Sequence, residues 1–231
     1  MSRSTTFWNR YADRYAKMAV PDPVAYRQKL KRTRAYLTPA SRVLEIGCGT
    51  GSTAIAHAPH VARIDAVDFS EKMIQIAQAK AAAARIDNIG FREAALEELG
   101  PGDYDMVLAL NLIQLLPDPE GGVEQMAGML RPGGVLVTST LCLGTGGAGR
   151  AMRWLLAPFA AMGSVPRLSF FDRDRYLRMF ESAGLEVVES WSPGRRRAWF
   201  DVARRPGGTE AAPPATGPDG AVTATEPGSG P

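Results

Sequence analysis

An apolar stretch that ends in three alternating glycines is the segment best suited to bind a ligand. Val43–Ile46 reads as a buried strand apart from Glu45, and Gly47, Gly49 and Gly51 follow it before helix-forming residues resume. Glycines at such a bend permit a sharp turn and let a ligand touch the backbone, while the free amides of the next helix point at it. The pattern therefore predicts a site for a nucleotide-like ligand at this bend.

A carboxylate follows the glycines at a sequence spacing that also indicates a ligand site. Asp68 ends the next apolar stretch, Ile64–Val67, 17 residues after Gly51. Doubly wound folds place an acid at about this point, where it accepts hydrogen bonds from ribose hydroxyls. The alternative is a tight structural turn with a chance acid, but the order of strand, glycines, helix, strand and acid favours a binding site.

The glycine spacing distinguishes between two kinds of nucleotide-like ligand. Dinucleotide sites use G-x-G-x-x-G, whose last glycine lets the helix pack close to a pyrophosphate. Here the spacing is G-x-G-x-G, and Glu45 stands two residues before the first glycine. A carboxylate there disfavours a pyrophosphate and suits a phosphate-free ligand with an ammonium group. This points to S-adenosylmethionine, with an NAD(P)-dependent oxidoreductase as the weaker alternative.

Length and composition predict the kind of chain that holds this site. The 231 residues carry a formal net charge of +3 and are 45% hydrophobic, which suits one globular domain with a full core. No apolar run approaches the ~20 residues that cross a bilayer, and no apolar signal core opens the chain. Two cysteines and two histidines are too few for a disulfide framework or a Cys/His metal cluster. We therefore expect no metal and a reduced, cytoplasmic setting.

Strand and helix signals alternate along the chain. Strands are predicted at 42–46, 64–67, 89–92, 105–110 and 135–141, helices at 23–37, 52–58, 71–84, 120–130 and 173–182, and a final hairpin at 185–191 and 198–203 through Pro193 and Gly194. This alternation predicts an α/β fold. It is a doubly wound, mostly parallel seven-stranded sheet with helices on both faces and a C-terminal antiparallel hairpin strand.

These motifs resemble those of the class I S-adenosylmethionine-dependent methyltransferases, which have a Rossmann-like fold. The closest likeness is to the small-molecule branch that includes ubiquinone/menaquinone C-methylases. The resemblance covers about residues 7–203 and is most specific at 45–51 (EIGCGTG), 68–73 (DFSEKM) and 130–136 (LRPGGVL). It implies an S-adenosylmethionine-binding core at 41–205.

The resemblance also implies roles for particular residues. In that family the glycine loop surrounds the methionine part of the cofactor, the acid after the second strand binds ribose, and the next residue packs on adenine. The loop after the fourth strand lies beside the sulfonium, which would place Gln114 toward the substrate. The cofactor-binding residues expected here are Tyr15, Glu45, Gly47, Gly49, Gly51, Asp68, Phe69, Met73, Ala95, Leu96 and Asn111.

One position departs from the family pattern. The family often has an acid after the third strand that accepts from the adenine amine, and the matching residue here is Ala95. Backbone groups of Ala95 and Leu96 would then recognise adenine, unless Glu97 is displaced into the role.

Two segments are expected to cover the cleft. In residues 1–40, Phe7, Tyr11 and Tyr15 share one helix face, which predicts either a lid over the cleft or simple packing on the sheet. Residues 142–171 form an insertion with a short apolar run that contains Trp154 and Phe159. That run could pack in the core, cover an apolar substrate or contact a lipid surface. Tyr11, Gln114, Trp154 and Phe159 are the expected substrate contacts.

Charge and composition at the two ends of the chain predict partners and disorder. Residues 1–36 hold nine bases and two acids, which suits a solvated helix face or attraction to an anionic membrane surface or an anionic substrate. Residues 206–231 lack Leu, Ile, Met, Phe, Trp and Tyr, so we expect a disordered tail. No RNA-reading motif accompanies Arg195–Arg197, and nucleic acid is not an expected partner.

The expected chemistry is in-line methyl transfer to a small, partly apolar acceptor, driven by proximity and orientation. His57 and His60 fall at the far end of the unit from the cleft, where surface or capping positions are expected, so neither is a predicted base. Tyr15 and Gln114 are the only catalytic candidates. Two alternatives stay open. One is N-methylation of an ethanolamine-type phospholipid headgroup by an enzyme peripheral to the inner face of the membrane, and the other is a non-catalytic cofactor-binding protein.

Overall fold

The computed structural model describes residues 3–144, 146–162, 165–193 and 198–207. Within these ranges the helices are α1 (Arg3–Lys17), α2 (Pro23–Arg34), α3 (Ser52–His57), α4 (Glu71–Ala83), α5 (Pro119–Gly128), α6 (Gly147–Ala161) and α7 (Arg173–Ser182). The strands are β1 (Arg42–Ile46), β2 (Arg63–Asp68), β3 (Ile89–Glu93), β4 (Tyr104–Leu110), β5 (Leu130–Thr140), β6 (Glu186–Trp191) and β7 (Trp199–Arg204). Gly194 of the expected turn and most of the expected tail, 208–231, lie outside the described residues.

The strands form one sheet in the order β3-β2-β1-β4-β5-β7-β6. Strands β1 to β5 run parallel, and β7 is antiparallel to both β5 and β6. A buried apolar cluster lies on each face of the sheet, and the helices cover both. The predicted fold class is confirmed. The order reverses between β1 and β4, and such a switch point is where ligands bind in this architecture.

Local sequence chemistry determines where two of the covering helices begin. The side chain of Asp22 accepts a hydrogen bond from the amide of Ala25, and Pro23 fills the first position of α2. Ser70 caps α4 in the same way by accepting from the amide of Met73. Both caps satisfy amides that have no partner inside the helix, and they account for the predicted helix starts at residues 23 and 71.

The start of β5 differs from the prediction. Arg131–Gly134 reads as a turn and was expected to precede the strand, yet β5 already begins at Leu130. Leu130 pairs with Tyr104 of β4. The amide of Gly133 donates to Arg205, whose own amide donates to Gly134, both at 2.9 Å. Neighbouring chain segments therefore supply strand partners to residues whose local chemistry favours a turn.

His57 was expected at the surface or as a cap, and this was wrong. It is the last residue of α3, is fully buried, and neither ring nitrogen has a hydrogen-bond partner among the described residues. Burial, together with the positive charges of Arg34 and His60, lowers the pKa of its imidazole to about 4. The side chain is therefore held neutral in the folded protein.

We expect the fold to lose stability as the pH falls from about 7 to about 4, in part through His57. In the unfolded chain the imidazole titrates near its ordinary pKa of about 6.5, so it takes up a proton that the folded protein refuses. The stability present above pH 6.5 should fall by about 1–3 kcal/mol over this window. Urea unfolding of wild type and His57→Leu at several pH values measures the difference. His60→Gln, at an exposed position, serves as the control. A pH dependence in His57→Leu equal to that of wild type would contradict the assignment.

Candidate functional site

A cleft opens at the carboxyl ends of the central strands, beneath α1. Its cavity has a volume of about 90 Å³. The lining residues are Trp8, Tyr15, Gly47, Gly49, Asp68, Phe69, Met73, Leu110, Asn111, Leu112 and Leu115. Seven of the eleven residues predicted to bind the cofactor are thus brought together around one cavity.

Trp8 lines the cavity but was not predicted from the sequence, although its spacing relative to Tyr11 and Tyr15 indicates its position. It stands three and seven residues before Tyr11 and Tyr15, so it shares their helix face. Its ring makes edge-on contacts with both tyrosines, at centroid distances of 6.2 and 6.3 Å. Asn9 fastens this helix over the site, because its side-chain oxygen accepts from Ser70 at 2.6 Å. The aromatic face of α1 therefore forms the roof of the cavity.

The glycine loop adopts a backbone that other residues resist. Gly47, Gly49 and Gly51 have φ angles of +69°, +53° and +73°, all in the left-handed region. The amide of Cys48 donates to the carbonyl of Val67 at 2.9 Å, which ties the loop to the end of β2. Glycine is required at each bend because a Cβ atom strains this conformation.

Asp68 joins the glycine loop to the start of α4. One carboxylate oxygen accepts from the amide of Gly49 and the other from the amide of Ser70, both at 2.9 Å. Burial raises the pKa of Asp68, while these two amides favour the charged form. A carboxylate oxygen accepts more than one hydrogen bond, so each retains capacity for a ligand hydroxyl at the cavity wall.

Glu45 is a buried carboxylate that lacks a full set of partners. It is 3% exposed, and its Oε2 has no hydrogen-bond partner among the described residues. Its pKa is raised to about 8, chiefly by burial and further by the nearby charge of Asp68, against the opposing hydrogen bond from the amide of Ala54. A cationic group nearby would compensate such a carboxylate, since an opposite charge favours the ionised form. The residues present therefore fit a cofactor that carries an ammonium group and no phosphate.

Asn111 sits at the end of β4 in a strained conformation. Its φ of +58° makes it one of two non-glycine residues with positive φ in the described ranges, and asparagine tolerates that region better than most residues. Its amide donates to the carbonyl of Ser139 at 2.7 Å. Backbone strain of this kind concentrates at functional sites, which agrees with the role that the resemblance implied for Asn111.

Lys29 lies near the same end of the sheet and was not singled out from the sequence. It extends from α2 to the hydroxyl of Ser139, with 2.6 Å between Nζ and Oγ. Burial lowers the pKa of this ammonium. No carboxylate of the described residues lies within 4.0 Å of Nζ. The periodicity of α2 gives no sign of this long-range contact.

Four predicted cofactor residues do not line the cavity. Glu45 lies in the core beneath it, and Gly51 packs against Ala77 and Phe91. The amide of Ala95 donates to the carboxylate of Glu98 at 2.7 Å, and Leu96 belongs to the apolar core. Adenine binding by the backbone groups of Ala95 and Leu96 stays a prediction.

The residues predicted to contact substrate are spread more widely. Tyr11 donates to the sulfur of Met18 at 3.1 Å. Gln114 is buried in a single 3₁₀ turn after β4, and its Oε1 has no partner among the described residues. Trp154 and Phe159 lie on α6, where both are exposed. None of the four lines the cavity.

A larger groove lies elsewhere on the molecule. Its volume is about 780 Å³, and it contains Arg42 and Arg63 at the opening ends of β1 and β2 together with the loop before β4. Asp65 neutralises part of its charge by pairing with Arg63 at 2.9 Å. No predicted site residue lines it, so size alone does not identify the functional site.

Comparison with known proteins agrees with this geometry. The profile of a family described as "Methyltransferase domain" matches residues 15–190. A ubiquinone biosynthesis O-methyltransferase of Leptothrix cholodnii is 27% identical over 175 residues, which are 70% of this chain and 72% of the relative. A ubiquinone biosynthesis O-methyltransferase of Albidiferax ferrireducens is 33% identical over 103 residues, which are 43% of this chain and 41% of the relative. The chain thus spans less than half of some of the curated relatives it matches.

Solved structures show the same architecture. The magnesium protoporphyrin IX methyltransferase of Synechocystis PCC 6803, solved with bound SAH, aligns with a TM-score of 0.67 and 20% identity. The alignment covers 88% of this chain and 100% of that one. At that identity the likeness establishes the fold. With a family profile over most of the chain, the recognition made from the sequence motifs is confirmed: the chain belongs to the methyltransferase-domain family and resembles its S-adenosylmethionine-dependent members.

Proposed function

We propose that this chain transfers the methyl group of S-adenosylmethionine to a small, partly apolar acceptor. The observation that carries the proposal is the joining of the glycine loop to Asp68 at the sheet's switch point, under the aromatic face of α1. In this proposal Asp68 holds the ribose, Phe69 packs on adenine, and Glu45 compensates the ammonium group. Asn111 lies beside the methionine end.

The proposed mechanism needs alignment more than it needs a base. When bound, the cofactor supplies a methyl group already activated by a sulfonium. Of the lining residues, only Asp68 and Tyr15 titrate, and burial raises the pKa of the Tyr15 hydroxyl, which therefore stays protonated. The leucines at the end of β4 and in the loop after it exclude water, and the aromatic roof restricts how an acceptor approaches.

The acceptor is proposed to react as an anion or a neutral amine. Lys29 provides a half-buried ammonium at the carboxyl end of β5 with no carboxylate partner among the described residues. Such a group favours the deprotonated form of an acidic hydroxyl nearby. The relatives named as O-methyltransferases support an oxygen acceptor. The proton then leaves to solvent before transfer, without a protein base.

Opening of α1 is part of the proposal. A cavity of about 90 Å³ is smaller than the roughly 300 Å³ at which small-molecule pockets begin. In this proposal α1 swings away from α4 to admit a nucleoside, which is the role of a lid that was expected of residues 1–40. The contacts of Asn9 with Ser70 and with the amide of Lys72 are those that opening would break.

We expect Asp68→Ala to weaken binding of S-adenosylmethionine by about 5- to 150-fold, or roughly 1–3 kcal/mol, because charge-assisted hydrogen bonds are lost. Asp65→Ala is the matched control, since Asp65 lies on the same strand but pairs with Arg63 and Tyr104 away from the cavity. Titration calorimetry on both variants measures the affinities, and thermal unfolding shows whether the loop still folds. Equal affinities in the two variants would mean that the ribose lies elsewhere.

A tritiated-methyl assay on lysate fractions tests the transfer itself. Label in the small-molecule fraction supports the proposal.

The exposed apolar side chains of α6 favour a second candidate function, which is methylation of an ethanolamine-type headgroup. Label in the lipid fraction, reproduced with pure phosphatidylethanolamine vesicles, would support that candidate. Binding without transfer to any fraction would leave a non-catalytic cofactor-binding protein.

A further inference from the structure

Helix α6 exposes apolar side chains that a protein interior would normally bury. Trp154, Leu155 and Phe159 are 78%, 69% and 45% exposed, and Met152 is exposed as well. Met152, Leu155 and Phe159 follow the spacing i, i+3, i+7, so they form one stripe along the helix. We call this stripe, with Trp154 beside it, the α6 face. A continuous exposed apolar face of this kind marks a surface that contacts something else.

The helix itself is held to the protein by other residues. Gly149 is buried, and Leu156 and Ala160 are half-buried, whereas the other residues of α6 whose exposure is described face solvent. A Cβ on Gly149 would collide with the carbonyl oxygen of Gly144, so the start of α6 folds closely against the segment that leads into it. The side of α6 that meets the protein is therefore narrow, and the apolar stripe is left outside it.

The charged residues of the insertion that contains the α6 face are all basic. Arg150 and Arg153 lie on the opposite side of the helix from the stripe, and Arg167 follows in the same insertion. No Asp or Glu occurs anywhere between Cys142 and Phe171. An amphipathic helix with arginines on its polar side and large apolar residues on the other suits the interface of an anionic bilayer.

A second exposed apolar group lies near the same edge of the sheet. The turn between α1 and α2 exposes Met18 and Val20, and the first turn of α2 exposes Val24. Lys17 and Arg27 flank it, within a segment that holds nine bases and two acids. α2 contacts the carboxyl end of β5 through Lys29, and α6 begins shortly after that strand ends. Both apolar groups therefore belong to segments connected to the carboxyl end of β5, the end of the sheet at which the cleft opens.

The insertion is fastened beside the cavity. The amide of Ser169 donates to the carbonyl of Gln114 at 2.8 Å, and its hydroxyl donates to the carbonyl of Leu116 at 2.6 Å. Leu112 and Leu115 of that same loop line the cavity. A surface that holds α6 would thus be adjacent to the site of transfer.

We propose that the α6 face and the α1–α2 turn dock the chain on an anionic phospholipid bilayer, with the cleft mouth facing the lipid. The purpose, delivery of a partly apolar acceptor from the bilayer, rests on the proposed function. The chain's own C-terminal residues are a poor occupant, because 206–231 contain no Leu, Ile, Met, Phe, Trp or Tyr. Among the described residues no helix is long and apolar enough to cross a membrane, so the contact is with the surface.

Vesicle cosedimentation of the full chain tests this. The probes are vesicles of phosphatidylcholine alone and of phosphatidylcholine with phosphatidylglycerol at a 7:3 ratio, at low and high salt. We expect binding to the anionic vesicles at low salt, and at least tenfold weaker binding to the neutral ones. High salt should weaken the anionic binding.

A double variant and a matched control separate docking from folding. L155E/F159E should lose at least tenfold in vesicle affinity while keeping the wild-type melting temperature and affinity for S-adenosylhomocysteine. V187E is the control, because Val187 is also exposed, at 37%, but aligns through β7 with Leu136 in the middle of β5, short of the carboxyl end of that strand. It should bind vesicles as wild type does.

Three results would overturn the docking proposal. The first is the absence of wild-type binding to anionic vesicles at low salt, and the second is undiminished binding by L155E/F159E. The third is a wild-type dimer in sedimentation velocity that the double variant abolishes without any vesicle binding, which would assign the face to a second copy. Cofactor binding and methyl transfer to a soluble acceptor are measured separately, so failure of docking leaves the proposed function standing.

Discussion

Asp201→Ala is expected to lower the free energy of unfolding by about 3–5 kcal/mol. Asp201 on β7 is fully buried, and its two oxygens accept from both terminal nitrogens of Arg173 on α7, at 2.5 and 2.7 Å. The guanidinium also lies over the ring of Trp199, 4.2 Å from its centroid. Removing the carboxylate leaves a largely buried cation without its partner, which costs far more than an exposed pair would.

A second pair on the same helix provides the control. Arg175 pairs with Glu120 at 2.7 Å, but both side chains are at least 40% exposed. Glu120→Ala should therefore cost no more than about 1 kcal/mol. Urea unfolding of the two variants at neutral pH gives both free energies. Similar costs for the two substitutions would show that burial does not set the value of the Arg173–Asp201 pair.

Gly51→Ala is expected to destabilise the fold by about 2–5 kcal/mol, the sum of left-handed strain and overpacking. At φ of +73°, a Cβ would come within 2.8 Å of the Cβ of Ala77 and 2.9 Å of the ring of Phe91. Both neighbours belong to the sheet–helix layer under the loop, so neither is a flexible side-chain end. Thermal and urea unfolding should report the loss directly.

Gly49→Ala changes the same loop but should affect binding more than folding. Its Cβ would meet only the ring of Tyr15, at 3.8 Å, on the cavity side of the loop. We expect about 1–2 kcal/mol of strain at φ of +53°. We also expect about a tenfold or larger loss of cofactor affinity, because the methyl group occupies ligand space. If Gly51→Ala kept wild-type stability, or Gly49→Ala kept wild-type affinity, the division of roles within the loop would be wrong.

Much of the fold was predictable because its signals are local. Asp22 with Pro23, and Ser70 before α4, determine helix starts through hydrogen bonds within three residues along the chain. The glycine loop was predictable for the same reason, since only glycine suits its backbone. The position of Asp68 at the site was predictable from its place at the end of β2, because a parallel unit places the end of β2 next to the end of β1.

The parts that could not be predicted depend on contacts distant in sequence. Local chemistry at Arg131–Gly134 indicates a turn, but pairing with Tyr104 at Leu130 and hydrogen bonds with Arg205 make this segment part of β5. His57 has the polarity of a surface residue, and only the packing around α3 buries it. Lys29 and Ser139 are 110 residues apart, and no periodicity in α2 signals their contact. The substrate side depends most on such contacts, so it was predicted least well.

The central claim is that a phosphate-free sulfonium nucleoside binds where β1 bends into α3, beside Glu45 and Asp68. Isothermal titration calorimetry of the folded full chain with S-adenosylhomocysteine and, separately, with NAD tests it most directly. We predict one saturable site for S-adenosylhomocysteine and no heat of binding for NAD. Saturable binding of NAD, or the absence of any heat with S-adenosylhomocysteine, would contradict it.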